Sequence, residues 1–329
     1  MFGLQTLDSS PPSTNLRILE QSQLDLRQVM ASRRIAVTLY AAVHWYLKPL
    51  TVSQVAFSDH SLTTINSFGY SPHPLSQYLE WIETILRSRS SSKPIFISIS
   101  ASDPTNLCEM LRDIQVLREK LHDKEAPQCR IAVEFNLSCP NVCNSPLGYV
   151  HESVSPFLVV MRNAIQDDPT LTIGCKMPPY LYQAQFTDFL QMLSSFINGG
   201  IRCPISFLTS TNTLGNSLLF SSQVTSQPDH GIALPSTDIA QLALPSILGG
   251  LGGESIHALS LGNVWTFKRL ITSHPYVDTG LGDLKIIGVG GVTSKAAVER
   301  MKKAGADAVA CATLFGKEGV RAFEILGKD

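Results

Sequence analysis

A chain of 329 residues with a formal net charge of -1 has no overall basic field to attract nucleic acid or an anionic membrane surface, so its expected partner is a small molecule. Its residues are 44% hydrophobic and 16% charged, which excludes a disordered chain and fits helices packed on a sheet. The seven cysteines contain no C-x-x-C pair and no histidine pair lies at zinc spacing, so neither a metal nor an iron-sulfur centre is expected, and reduced thiols suit a cytoplasmic enzyme.

In chain order, no basic residue precedes Arg17, unlike the start of a signal peptide or an Arg-rich transit segment, and Ser9-Ser10-Pro11-Pro12-Ser13 reads as a disordered entry. Ile35–Tyr40 is the strand candidate before residue 60. The apolar patch from Ile35 to Leu47 contains His44 and falls short of the roughly 20 residues that cross a bilayer, so no membrane span is expected. From residue 93 onward, short apolar runs alternate with segments of helical period. The strands are expected at Pro94–Ser100, Ile131–Leu137, Leu171–Met177, Ile205–Ser210, Leu284–Val289 and Ala308–Thr313. Asn106–Leu121 is expected to be a helix with Leu107, Met110, Leu111, Ile114 and Leu117 on one face, and Ser294–Ala304 is a second. Between them Leu214–Gly253, rich in Ser, Gly and Pro and without steady period, is expected to be a long functional loop. This repetition predicts an α/β fold, a TIM (β/α)8 barrel over an open doubly wound sheet, with two further strands needed from the first 90 residues. The whole of 1–329 is read as one domain, residues 1–54 being its atypical, disordered or altered part.

In a parallel barrel the carboxyl ends of the strands share one mouth, so motifs at those ends can belong to one site. Asn136-Leu137-Ser138-Cys139-Pro140-Asn141 follows the second named strand and places a cysteine between two carboxamides. Cys139 taken alone could be a buried apolar thiol; Pro140 and the polar run after it put it on a turn, where a thiol can take a proton from an acidified carbon. Cys143 reads as a loop thiol. Lys176, between an apolar strand and Pro178-Pro179, is either a solvated surface charge or an ammonium held at the mouth for an anionic ring or a carboxylate. Asn212, within Thr211-Asn212-Thr213, could equally be a turn residue. Gly290 and Gly291 lead into the helix beginning at Ser294, where free backbone N–H groups can hold a phosphate, and Gly249-Gly250-Leu251-Gly252-Gly253 offers a second set of amides.

From about Val55 to the end, these residues resemble the class 1 dihydroorotate dehydrogenases, the class 1A branch most closely. The resemblance is carried by Ile65-Asn66-Ser67-Phe68-Gly69, the Asn-Leu-Ser-Cys-Pro-Asn run, Lys176-Met177-Pro178-Pro179-Tyr180, Thr211-Asn212-Thr213-Leu214-Gly215-Asn216, the GGLGG run and Gly288 to Val292. It implies FMN in a TIM barrel and the oxidation of dihydroorotate to orotate in pyrimidine biosynthesis. By position, Cys139 would be the base while hydride passes to the flavin, and Asn66, Asn136, Asn141 and Asn212, with Thr213, would bind the substrate carboxylate and ring amides. Lys176 would lie against the flavin ring, and Gly249, Gly250, Gly290, Gly291, Ala312 and Thr313 would hold the phosphate. A cysteine base favours class 1 over the membrane-associated class 2, which uses serine; class 1A members commonly are homodimers that reduce fumarate.

The sequence departs from that pattern in two places. The basic residue that the family carries after its second barrel strand has no counterpart, since Ile35–Tyr40 is followed by no basic residue until Lys48, and Ala312 replaces the usual glycine before Thr313. Two other readings stay open: a non-catalytic or unstable relative that has lost flavin binding, and a flavin oxidoreductase for another dihydropyrimidine.

Overall fold

The computed structural model describes residues 55–68, 73–88, 94–125, 129–138, 146–197, 202–225, 241–273 and 275–327. The expected strand Ile35–Tyr40 and the atypical segment 1–54 lie outside them.

Six strands form one parallel sheet: β3 (Ile95–Ile99), β4 (Ile131–Asn136), β5 (Thr172–Lys176), β6 (Phe207–Ser210), β9 (Lys285–Val289) and β10 (Ala308–Ala310). Their spatial order is the chain order, each pair parallel, and the sheet curls as the wall of a (β/α)8 barrel does. All six expected strands are present, with ends within three residues of those expected. Side chains alternate across this wall because the strand period is two. Phe96, Ala132, Phe207, Ile287 and Ala308 fill the inside, where Phe96 and Phe207 meet edge to face at 5.4 Å. Gly174 sits where any Cβ would run into the Phe207 ring, so the glycine makes room for that filling. Ile95, Ile97, Val133, Phe135, Ile173 and Ile286 face outward onto the helices.

Those helices follow the strands. α1 (Leu75–Ser88) precedes β3; α2 (Pro104–Lys120) follows it, then α3 (His151–Asp167) after β4 and α4 (Gln183–Ser194) after β5. α5 (His257–Ile271), α6 (Lys295–Lys303), α7 (Thr313–Glu318) and α8 (Arg321–Gly327) complete the layer. In α2 the Asp103 carboxylate accepts from the backbone N–H groups of Thr105 and Asn106, Pro104 takes the first turn where its missing donor costs nothing, and the expected apolar face is buried. α6 starts where expected, with the Ser294 hydroxyl accepting from Ala297 N–H.

A second sheet, antiparallel, has the order β1 (Val55–Phe57), β2 (Thr63–Asn66), β8 (Gly249–Gly253), β7 (Leu214–Ser217). It corrects one expectation. The stretch Leu214–Gly253 is not all loop, since both of its ends are strands; residues 226–240 within it lie outside the described residues. The described strands before residue 70 belong to this sheet and not to the barrel wall: β2 pairs with β8, Thr63 opposite Gly253 and Asn66 opposite Gly250. A run of four glycines around one leucine has no side-chain alternation to read, and its strand character comes from backbone pairing with a partner almost two hundred residues earlier.

Candidate active site at the strand ends

The carboxyl ends of β5, β6, β9 and β10, with the end of β8, surround a cleft. Lys176 enters it from the last position of β5. Strand alternation turns Thr172, Gly174 and Lys176 inward while Cys175 packs outward, so the lysine rises from the barrel interior, buried to 4% exposure. From the loop after β6 come Thr211, Asn212 and Thr213, held in place by Thr211 N–H donating to Val289 O at 3.0 Å and Asn212 N–H to Met177 O at 2.9 Å. Gly290, Gly291, Ala312 and Thr313 complete the expected members of the lining.

Asn136 lies beside Lys176 in register at the end of β4. Its Oδ1 accepts from the Ser138 N–H at 3.1 Å and the Ser138 hydroxyl at 2.6 Å, and Asn212 Nδ2 donates to that same hydroxyl. Ser138 thereby joins two carboxamides that are 76 residues apart in the chain (212 minus 136). Asn66 Nδ2 donates to Gly250 O at 3.0 Å, and a Cβ on Gly250 would run into the Thr213 hydroxyl, so Asn66, Gly250 and Thr213 form a second group at the rim. Gly249 stands apart from the cleft, packed against Leu244 and the Asn66 carbonyl. The small sheet is tied to the end of β10 through the Thr64 and Thr313 hydroxyls, 3.0 Å apart.

Cys139, Asn141 and Cys143 lie outside the described residues. The chain on either side of them is fixed: Gly148 N–H donates to Leu137 O at 2.8 Å, the Tyr180 hydroxyl to Gly148 O at 2.6 Å and the Tyr149 hydroxyl to Pro179 O at 2.9 Å. Asn263 then grips the Tyr180 backbone from both sides, accepting from its N–H at 2.8 Å and donating to its carbonyl at 2.9 Å. Of the described cysteines, all free, three are poor bases: burial pushes the Cys203 and Cys311 thiols up to about 12 and raises Cys175 further.

Several lining residues were not singled out in the sequence. Gly252 and Gly253 line the cleft where Gly249 does not, and Ile256, Val289 and Val292 supply apolar wall. The two glycines were visible only as part of the GGLGG run, and Ser138 only as a letter inside the cysteine motif; their roles depend on which strand end faces which. The described residues hold no cluster of His, Cys, Asp and Glu able to bind a metal ion, and none of their helices is long and apolar enough to cross a membrane.

The profile of the family described as dihydroorotate dehydrogenase matches residues 54–329. The chain belongs to the dihydroorotate dehydrogenase family. It is 28% identical over 278 residues to the dihydroorotate dehydrogenase A (fumarate) of Lactococcus lactis subsp. lactis (strain IL1403), covering 83% of this chain and 74% of that protein. A protein of Streptococcus pyogenes serotype M18 (strain MGAS8232), assigned the name dihydroorotate dehydrogenase A (fumarate), is 29% identical over 277 residues, 83% of this chain and 73% of its own length. The family is one of flavin-dependent oxidoreductases with a TIM barrel fold.

The residues present fit a flavin. A buried cation, Lys176, faces the cleft from below, and the far side is a backbone surface that side chains would fill: a Cβ on Gly252 would stand 3.0 Å from Thr64 Oγ1 and 3.5 Å from Thr313 Oγ1, and one on Gly291 2.8 Å from Gly253 O. Such side-chain-free backbone next to a threonine hydroxyl is suited to a phosphate, and the loops after the last two strands are where barrels commonly hold one.

Proposed function

We propose that this chain, 1–329 acting as one unit, binds FMN and oxidises dihydroorotate to orotate in pyrimidine biosynthesis, with fumarate as electron acceptor. The observation that carries this reading is the convergence of Lys176, Asn212, Thr213, Gly290, Gly291 and Thr313, from four separate strand ends, on one cleft. The names of the Lactococcus and Streptococcus relatives support the substrate and the acceptor.

FMN, when bound, supplies the two-electron acceptor. Gly290, Gly291, Ala312 and Thr313, with Gly252 and Gly253 beside them, would hold its phosphate, Gly250 and Gly249 lying further back along β8, and Lys176 would set a positive charge near the ring. Asn66, Asn136, Asn141 and Asn212 with Thr213 bind the substrate carboxylate and ring amides; a carboxamide offers a donor and an acceptor and brings no charge to be desolvated. Cys139 would act as the base for the ring proton, and bound FMN would supply the acceptor for the hydride of the neighbouring carbon. The clamp of Gly148, Tyr149 and Tyr180 holds the chain on one side of the Cys139 run, and the Ser138 bridge holds it on the other. Exposed apolar side chains on and beside the small sheet, Leu218, Phe220, Ile247 and Leu248, favour a homodimer.

Purification of the full chain tests the reading. A yellow protein whose flavin band is bleached by dihydroorotate under anaerobic conditions and restored by fumarate is expected. A folded, colourless protein that cannot be reconstituted with FMN would overturn flavin binding, and bleaching by a different dihydropyrimidine alone would overturn the substrate.

A further inference from the structure

We propose that His257 is a positioning residue for the phosphate cradle, locking the Gly290–Gly291 peptide so that its N–H faces the cleft. The proposal rests on the FMN reading above. Gly290 and Gly291 leave β9 with φ of 123° and 65°, conformations that glycine adopts without a steric penalty, and a peptide between two glycines is easily flipped. Close packing requires the glycines. A Cβ on Gly290 would run into Ser260 Oγ, and one on Gly291 would stand 2.5 Å from His257 Cβ, so the pair lies flat on the first turn of α5.

The ring of His257 is held from both sides. Its Nδ1 is 2.8 Å from Gly290 O, and because a carbonyl only accepts, Nδ1 carries the proton. Arg300 Nε, from α6, is 3.0 Å from His257 Nε2, and because a guanidinium only donates, Nε2 accepts. The two contacts require the same neutral tautomer: Arg300 fixes the ring, and the ring fixes the carbonyl. In a planar trans peptide the C=O of Gly290 and the N–H of Gly291 point in opposite directions. Holding the carbonyl on His257 therefore directs the Gly291 N–H away from α5, into the cleft that both glycines line. The flipped peptide would present a carbonyl oxygen to the same place and repel an anion.

The test compares FMN with riboflavin, which lacks the phosphate, by flavin fluorescence titration of the full chain stripped of flavin. His257→Phe is expected to weaken FMN roughly 10-fold to 100-fold, the scale of one hydrogen bond to a charged group, and to leave riboflavin unchanged. His257→Asn, whose Nδ2 can donate in place of Nδ1, should recover most of the FMN affinity, and Arg300→Met should show a smaller loss confined to FMN. Equal losses for both ligands would mean that His257 serves only the fold, and an unchanged FMN affinity in His257→Phe would remove the clamp. If the wild-type chain binds FMN no better than riboflavin, the phosphate reading itself falls, and the clamp with it.

Discussion

Cysteine usage separates chemistry from packing at the scale of single residues. Cys175, Cys203 and Cys311 are driven to high pKa chiefly by burial, which removes the thiolate as a nucleophile or base and leaves a small apolar side chain. Cys139 differs in sequence context, placed after Ser138 and before a proline, between Asn136 and Asn141. Cys139→Ala is expected to keep bound flavin and to slow its anaerobic reduction by dihydroorotate about 100-fold to 10,000-fold, the usual cost of losing a general base. Stopped-flow absorbance measures this directly, and an unchanged reduction rate would remove Cys139 from the mechanism. That Ser138 links Asn136 to Asn212 could not be read from the sequence, because the two carboxamides lie on different strand ends and only the barrel brings them together.

Elements show where local signals suffice. Helix α2 combines Asp103 as N-cap, Pro104 in the first turn and an apolar stripe at helical spacing, and its buried face is the one its spacing predicts. Asp103→Ala should cost about 1 kcal/mol in a urea titration, since the cap satisfies two backbone donors. A loss below about 0.3 kcal/mol would show those donors to be satisfied by water instead. In β5, Gly174→Ala should be worse, because the added Cβ meets the Phe207 ring inside the barrel and that ring is packed on Phe96; a cost of about 1 to 3 kcal/mol is expected. The urea midpoint reads this too, and a neutral outcome would mean that the barrel filling can shift. β8 is the opposite case to α2: its glycines carry no pattern, and the strand exists because β2 and β7 pair with it.

On the scale of the whole molecule, the barrel has a chemical end and a structural end. At the amino ends of β4 and β5, away from the cleft, Arg118 is fully buried, donating to Asp123 at 3.0 Å and to Asp168, Gln115 and Thr170. Asp123 in turn accepts from Arg130 N–H at 2.7 Å, tying α2 to the start of β4. Arg118→Met removes the buried cation that Asp123 and Asp168 share, leaving Asp168 only Lys124 at 3.8 Å, and is expected to cost about 3 to 5 kcal/mol in chemical denaturation, a large part of the stability of an ordinary domain. Burial alone would raise the Asp168 carboxyl, yet hydrogen bonds from Thr170 and Gln115 and the Arg118 charge outweigh it and hold it below the usual range. A carboxyl depressed in the folded state stabilises above its unfolded pKa, about 3.9, and that contribution is lost as pH falls through the lower folded value. Thermal unfolding followed downward from about pH 5 should therefore fall more steeply for the wild type than for Asp168→Asn; parallel curves would contradict this. Six barrel strands and the helices α2 and α6 were legible from the sequence by itself, because burial imposes a period of two or 3.6 on whatever residues lie locally in a strand or helix. Only the tertiary structure decided the small antiparallel sheet, the Ser138 bridge between two asparagines, and the seat of Gly290 and Gly291 on His257. Each of these joins segments far apart in the chain through backbone groups or single hydrogen bonds, which leave no periodic trace in the residues that make them.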